Sequence, residues 1–382
     1  MNETMQRLET LRGFLAQDPG NVPLACELLD AYMALGDYAA AQALLETLPT
    51  ESREAAGVRF RQARAALIHG RYTEAAAVLQ GLIDEGIENV ALWHDLAFAQ
   101  LCQRDTAAAR ATLEAAATHF GANVELLIVR ARVAMMDGDF DLALATLADA
   151  NALAPEHATV QGLRALALFD TVQSDAAYAA AKTCLARHPD QHEALIVAGS
   201  VALMRQAIDE SETHFVRALN RHPNSGRCLS GFGQVRMLQN RLPDARDILR
   251  HAVVTMPDHI GTWHALAWAE LLLGELDAAE TSYQHAYDLD RNFADSHGGL
   301  ALVHAVKGRH DEAEQAIRRA LRLNPACPTA LYARSLLLED EGREDEAMHV
   351  LGGLVPLTGL PPGTDLKTFA RALRSRFDAR AR

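Results

Sequence analysis

Six turn signatures recur along this chain at one fixed interval, and that interval limits what the chain can fold into. GDYAAA at Gly36, GRYTEA at Gly70, GDFDLA at Gly138, GELDAA at Gly274, GRHDEA at Gly308 and GREDEA at Gly342 are separated by multiples of 34 residues. A second marker keeps the same interval: Pro19, Pro155, Pro189, Pro223, Pro257 and Pro325 are also spaced by multiples of 34. Two independent markers in one register mean stacked units, each burying its apolar face against its neighbours rather than in a central core.

Between the markers, apolar residues recur at helical spacing, a short Gly/Asp/Asn turn intervenes, and a second helical pattern runs to the Pro loop. Each unit therefore reads as two antiparallel helices of about 12 to 14 residues. The proline ends the second helix, because it lacks the N–H that would continue it.

The unit WHALAWAELLLGELDAAETSYQHAY resembles the tetratricopeptide repeat family, whose pattern is W-x2-L-G-x2-Y, A-x3-F and P on a 34-residue period. Trp263, Leu266, Ala267, Gly274, Ala279, Tyr283 and Ala286 fall where the family places them. Trp93, Leu96, Ala97, Ala109 and Leu113 do so in an earlier unit, and Ala313, Ile317, Ala320 and Pro325 in a later one. Ala/Arg/Leu-rich usage gives the resemblance a bacterial cast. It implies an all-α fold, a right-handed α-solenoid of antiparallel helix pairs.

The register gives ten tandem units without insertion or deletion: 22–55, 56–89, 90–123, 124–157, 158–191, 192–225, 226–259, 260–293, 294–327 and 328–361. Residues 1–21 read as an N-terminal capping helix, a half repeat with Leu11, Phe14 and Pro19 in pattern. Residues 362–382 read as a basic amphipathic C-terminal capping helix, with six Lys/Arg against two Asp. Arrays of this kind need such solvated ends. Alanine opens the second helix of nine units and Ser211 that of the sixth, so that the paired helices can approach closely. Three departures are visible: Arg104 and Val172 stand where Gly eases the turn elsewhere, and the second unit lacks a large residue at its first anchor.

A net charge of -14 repels phosphate backbones and anionic lipid, so no nucleic acid is expected. No window is apolar enough for a membrane span, and a cytoplasmic location is expected. Five cysteines without a CxxC pair suggest buried free thiols, not disulfides or zinc ligands. No P-loop, nucleophile elbow, HExxH or EF-hand loop occurs. His188 and His192 straddle Pro189 and need not share a face, so no metal or other cofactor is expected. The periodic units also leave no sequence for a catalytic domain, and the chain reads as a non-enzyme.

Number the places of each unit from its first residue, Val22 being place 1 of the first. Places 4, 7, 8 and 11 of the first helix face the second helix, while places 2, 5, 9, 12 and 13 share another face. The resemblance implies that this other face lines a concave partner-binding groove. Here it carries Phe60, Arg64, His94, Phe98, Ile128, Arg132, Met135, Leu166, Ile196, Met204, Gln234, Met237, His264 and Trp268. The lining is mostly apolar, which suits a protein or peptide segment held by side-chain anchors; half-burial between adjacent units is the competing reading. Trp268 stands out because Trp93 and Trp263 occupy the family's packing site and Trp268 does not. No unit has the Lys at place 5 or Asn at place 9 that the family's chaperone-tail clamp resembles, and the sixth places hold no asparagine ladder. A heat-shock chaperone C-terminal tail is therefore not the expected partner. The sequence supports a scaffold or adaptor first, a dedicated chaperone for a secretion or envelope substrate second, and a peptide-sensing regulator third.

Overall fold

The computed structural model describes residues 3–358, with Thr368 and Ser375; the segment expected as a C-terminal cap, 362–382, otherwise lies outside them. The described residues form 22 helices and no strand. Helix α1 (Glu3–Gln17) comes first, then α2 (Val22–Ala34), α3 (Tyr38–Thr47), α4 (Thr50–Glu54), α5 (Ala56–Ile68), α6 (Tyr72–Asp84), α7 (Val90–Cys102), α8 (Thr106–Phe120), α9 (Val124–Met136), α10 (Phe140–Leu153) and α11 (Ala158–Asp170). There follow α12 (Ser174–Arg187), α13 (His192–Met204), α14 (Ile208–Arg221), α15 (Gly226–Leu238), α16 (Leu242–Thr255), α17 (Ile260–Leu273), α18 (Leu276–Leu289), α19 (Ala294–Val306), α20 (His310–Leu323), α21 (Pro328–Asp340) and α22 (Glu344–Thr358). First helices begin at 22, 56, 90 and every 34 residues on to 328; second helices begin at 38 and keep the same step to 344. The chain is an all-α helical repeat solenoid. It divides into two compact units, Met1–Ala177 and Tyr178–Arg382.

Every turn within a helix pair is closed in the same way. The amide of place 16 donates to the carbonyl of place 11, as in Asp37 to Tyr32, Asp105 to Gln100 and Glu275 to Glu270. This six-to-one bond requires a left-handed residue at place 15. Gly36, Gly70, Gly138, Gly274, Gly308 and Gly342 supply it with φ near +75°, and Arg104, Val172, Gln206 and Asn240 adopt it with φ of 58 to 65°. Asparagine tolerates this region; a β-branched residue does not. Val172 is 83% exposed, so nothing in its surroundings compensates. Val172→Gly should stabilise the N-terminal unit by about 0.5 to 1 kcal/mol, the relieved strain exceeding the entropy that glycine loses. Chemical denaturation would show this as a raised midpoint, and a lowered midpoint would contradict the strain.

Place 20 is buried in every pair. Ala41, Ala75, Ala109, Ala143, Ala177, Ser211, Ala245, Ala279, Ala313 and Ala347 are all at most 1% exposed. Ser211 is accommodated because its hydroxyl donates to the carbonyl of Gly199 at 2.8 Å. In the C-terminal unit, glycine makes room for aromatic rings from the preceding helix pair. A Cβ built on Gly231 would lie 2.2 Å from Phe215, and one built on Gly299 would lie 2.2 Å from Tyr283.

The first pair departs from the rest. Pro49 stops α3 after 10 residues, and the short α4 follows before the next pair begins. In α1, Leu8, Leu11 and Leu15 are buried against Leu28, Leu29, Tyr32 and Leu45. Phe14, grouped with Leu11 by sequence, is instead 55% exposed, since it lies off the face that Leu8, Leu11 and Leu15 share. In the second pair, Arg59 fills the place of the missing large anchor and pairs with Glu85 at 2.7 Å.

Candidate functional site

Place 8 of the first helices is buried in every pair, whereas place 9, one residue on, keeps accessible surface at Asp30, Arg64, Phe98, Arg132, Ser200, Gln234 and Trp268. The helical angle of about 100° per residue separates these fates: place 8 turns into the pair and place 9 turns away from it. Place 12 shares the accessible face, with Met135, Phe169, Leu203 and Met237 half-buried there.

The expected lining residues separate along this division. Ile128, Leu166 and Ile196 are buried and belong to the core. Phe60, His94, Phe98, Arg132, Met135, Gln234, Met237, His264 and Trp268 are half-buried, and Arg64 and Met204 are exposed. Place 5 is mostly core, and place 9 is core at Leu166, where spacing alone suggested lining. The cause is the adjacent helix pair, which no single-helix pattern contains.

Within the N-terminal unit, the structure brings four side chains of α5 and α7 together. The Arg64 guanidinium sits 5.6 Å over the Phe60 ring. Its Nε lies 3.3 Å from Oδ2 of Asp95. The Nδ1–H of His94 donates to the other carboxylate oxygen at 2.8 Å. Asp95 is only 6% exposed, and its Oδ2 accepts no hydrogen bond, so charge rather than hydrogen bonding ties Arg64 to it. Sequence reasoning passed over Asp95, which registered only as a sixth place without asparagine. Arg132 of α9 stands at the same place as Arg64 and is close enough to Cys102 to draw its thiol pKa down against the stronger upward push of burial.

Within the C-terminal unit, Met237 of α15 and Trp268 of α17 pack against one apolar cluster that includes Leu271 and Leu302. His264 is a satisfied structural histidine. It meets the Ser296 hydroxyl at 2.9 Å and packs near the rings of Tyr283 and Phe293, and burial holds its pKa below the usual value. Exposed apolar residues also end several first helices: Ile68 and Met136 in the N-terminal unit, Met204 and Leu238 in the C-terminal unit. Ile68 and Leu238 were missed, although they share place 13 with Met204.

Four of the five cysteines are buried and Cys102 is half-buried, all as free thiols. Among the described residues no cluster of three His, Cys, Asp or Glu side chains is arranged to hold a metal ion, and no helix is long and apolar enough to cross a membrane.

Two family models described as tetratricopeptide repeat match this chain, one over residues 26–89, 264–326 and 299–351 and the other over 101–167, together more than half its length. The chain belongs to the tetratricopeptide repeat family. Among solved structures, this tetratricopeptide protein is similar to the human IFIT1 dimer with PPP-AAAA, at 19% identity and a TM-score of 0.54, over 98% of this chain and 95% of that one. A monomeric IFIT1 mutant with Gppp-AAAA aligns at 17% identity and a TM-score of 0.55, over 99% and 95%. A tetratricopeptide repeat protein from Parabacteroides merdae matches 65% of this chain and 98% of its own, at 17% identity and a TM-score of 0.46. At these identities the likeness is one of fold. No curated protein sequence matches the chain.

Proposed function

We propose that this tetratricopeptide protein is a scaffold or adaptor that holds a segment of a partner protein along the accessible face of its first helices. One observation carries the reading. Places 9 and 12 bear Phe98, Met135, Met237 and Trp268, which keep surface exposed although the alanines at place 20 already close each pair. Large apolar and aromatic side chains that stay half-exposed on one periodic face are the residue types that dominate binding energy when a partner covers them. Exposed methionines at Met136 and Met204 favour a second reading, a chaperone that shields an apolar segment, because methionine adapts to varied surfaces.

PPP-AAAA or Gppp-AAAA accompanies IFIT1 in the similar structures, but the net charge of -14 weighs against a phosphate-rich ligand here. A photocrosslinking residue in place of Phe98 or Trp268 should trap a protein partner, and one in place of Leu289 on α18 should not. Equal trapping at all three positions would remove the preference for this face. With the trapped partner in hand, Trp268→Ala should weaken binding by about 2 kcal/mol, roughly 30-fold in Kd. Because Trp268 also packs on the core, Trp268→Leu separates the two roles: it keeps apolar bulk in the cluster and still removes the indole.

A further inference from the structure

Resting on the proposed first-helix face, we propose that Arg64, held beside His94 by the buried Asp95, forms a receptor for a carboxylate of the partner segment, with Phe60 and Phe98 taking an apolar residue beside it. The buried Asp95 carboxylate is the organising element. A carboxylate 6% exposed is retained in a helix pair only when counter-charge and hydrogen bonds offset its desolvation. Here those partners are Arg64 Nε and His94 Nδ1–H, drawn from two successive first helices. Asp95 therefore fixes both side chains by their inner nitrogens.

The outer edge of the guanidinium remains available. The Arg64 side chain is 51% exposed, and its Nη atoms have no hydrogen-bond partner among the described residues. A guanidinium held at Nε and backed by an aromatic ring presents its Nη edge in one orientation, which matches the two oxygens of a carboxylate. Phe60 lies one helical turn before Arg64, and Phe98 one turn after His94, so apolar surface flanks the charged groups at both ends.

The surrounding charges agree with an anionic ligand. Arg61 of α5 is spent on Asp30 at 2.5 Å and on the carbonyls of Cys26 and Gly57, leaving Arg64 as the accessible cation of its helix. Arg132 adds a second positive charge on the same face of α9. Asp95 itself is closed to a cationic ligand, because both its oxygens are turned to Arg64 and His94. An acidic peptide is favoured over a nucleic acid because the half-buried phenylalanines supply apolar surface for its side chains, while the whole chain repels a polyphosphate.

The test uses the full chain and a fluorescein-labelled twelve-residue peptide in which Asp alternates with Leu and Phe, compared by anisotropy with its Asn-for-Asp counterpart. The acidic peptide should bind at least tenfold more tightly. Arg64→Gln should abolish that difference while leaving the affinity for the Asn peptide unchanged, measured, because Asp95 loses its counter-charge, at a temperature where the variant remains folded, and Arg64→Lys should restore part of it. Equal affinity for the two peptides, with Phe98→Ala weakening both, would overturn the carboxylate receptor and keep the first-helix face. Failure of both peptides to bind would overturn the receptor, whereas the face itself is judged by the crosslinking above. Displacement of the acidic peptide by 5′-triphosphorylated tetra-adenylate, with tight Arg64-dependent binding of that oligonucleotide, would assign the site to phosphate instead.

Discussion

Gly231→Ala is expected to destabilise the C-terminal unit by about 3 kcal/mol, although alanine is the better helix former. Intrinsic propensity alone predicts a gain of about 1 kcal/mol for this change in α15. The new methyl would lie 2.2 Å from the Phe215 ring, which is fully buried and has no free volume to enter. Overpacking therefore outweighs propensity, and the sign of the effect decides between the two. One helix pair further on, the corresponding positions hold Leu249 and Ala265, a smaller side chain facing a larger one. Phe215→Leu combined with Gly231→Ala should accordingly recover much of the loss, a coupling that independent sites would not show. Repeat arrays unfold locally, so hydrogen exchange across α14 and α15 is the appropriate measurement. Unchanged or slower exchange in Gly231→Ala would mean that the ring and the helix backbone are not in contact.

The same pair of positions shows how much of this fold was legible. Features confined to one unit and enforced by backbone geometry could be read directly: the glycines of six turns, the small residue at place 20 and the helix starts. Gln206 and Asn240 adopt the left-handed turn without advertising it, because the hydrogen-bond pattern of the turn imposes that conformation on whatever residue stands there. The exchange of bulk between Phe215 and Gly231 involves two units, and no pattern within either unit reveals it. For the candidate site, place 9 keeps surface at Phe98 and Trp268 but is buried at Leu166, and place 5 is core at Ile128 and Ile196. Asp95 was missed because its importance comes from burial between Arg64 and His94, and an aspartate in sequence carries no sign of its solvation.

Arg250→Met should cost about 2 to 3 kcal/mol, by a mechanism opposite to overpacking. Glu270 of α17 is 2% exposed, and its carboxylate has two partners: Arg250 Nη2 at 3.0 Å from Oε1 and the Ser282 hydroxyl, which donates to Oε2 at 2.7 Å. Methionine keeps the apolar stem of Arg250 but leaves a buried negative charge with a single hydrogen bond. The expected loss stays below that for breaking a fully buried pair, since Arg250 is 46% exposed and water already screens it. The sequence supplies its own control. The corresponding position of α21 is Leu338, which is buried without any charge. Glu270→Leu alone should release Arg250 to solvent and to Glu275, which it already meets at 3.1 Å, at little cost. Glu270→Leu with Arg250→Met should lie close to Glu270→Leu rather than to Arg250→Met, because the penalty belongs to the unpaired carboxylate and vanishes with it. Additive losses in denaturant unfolding of the three variants would instead mean that Arg250 stabilises α16 and α17 through Glu275, and that Glu270 is solvated well enough to stand alone.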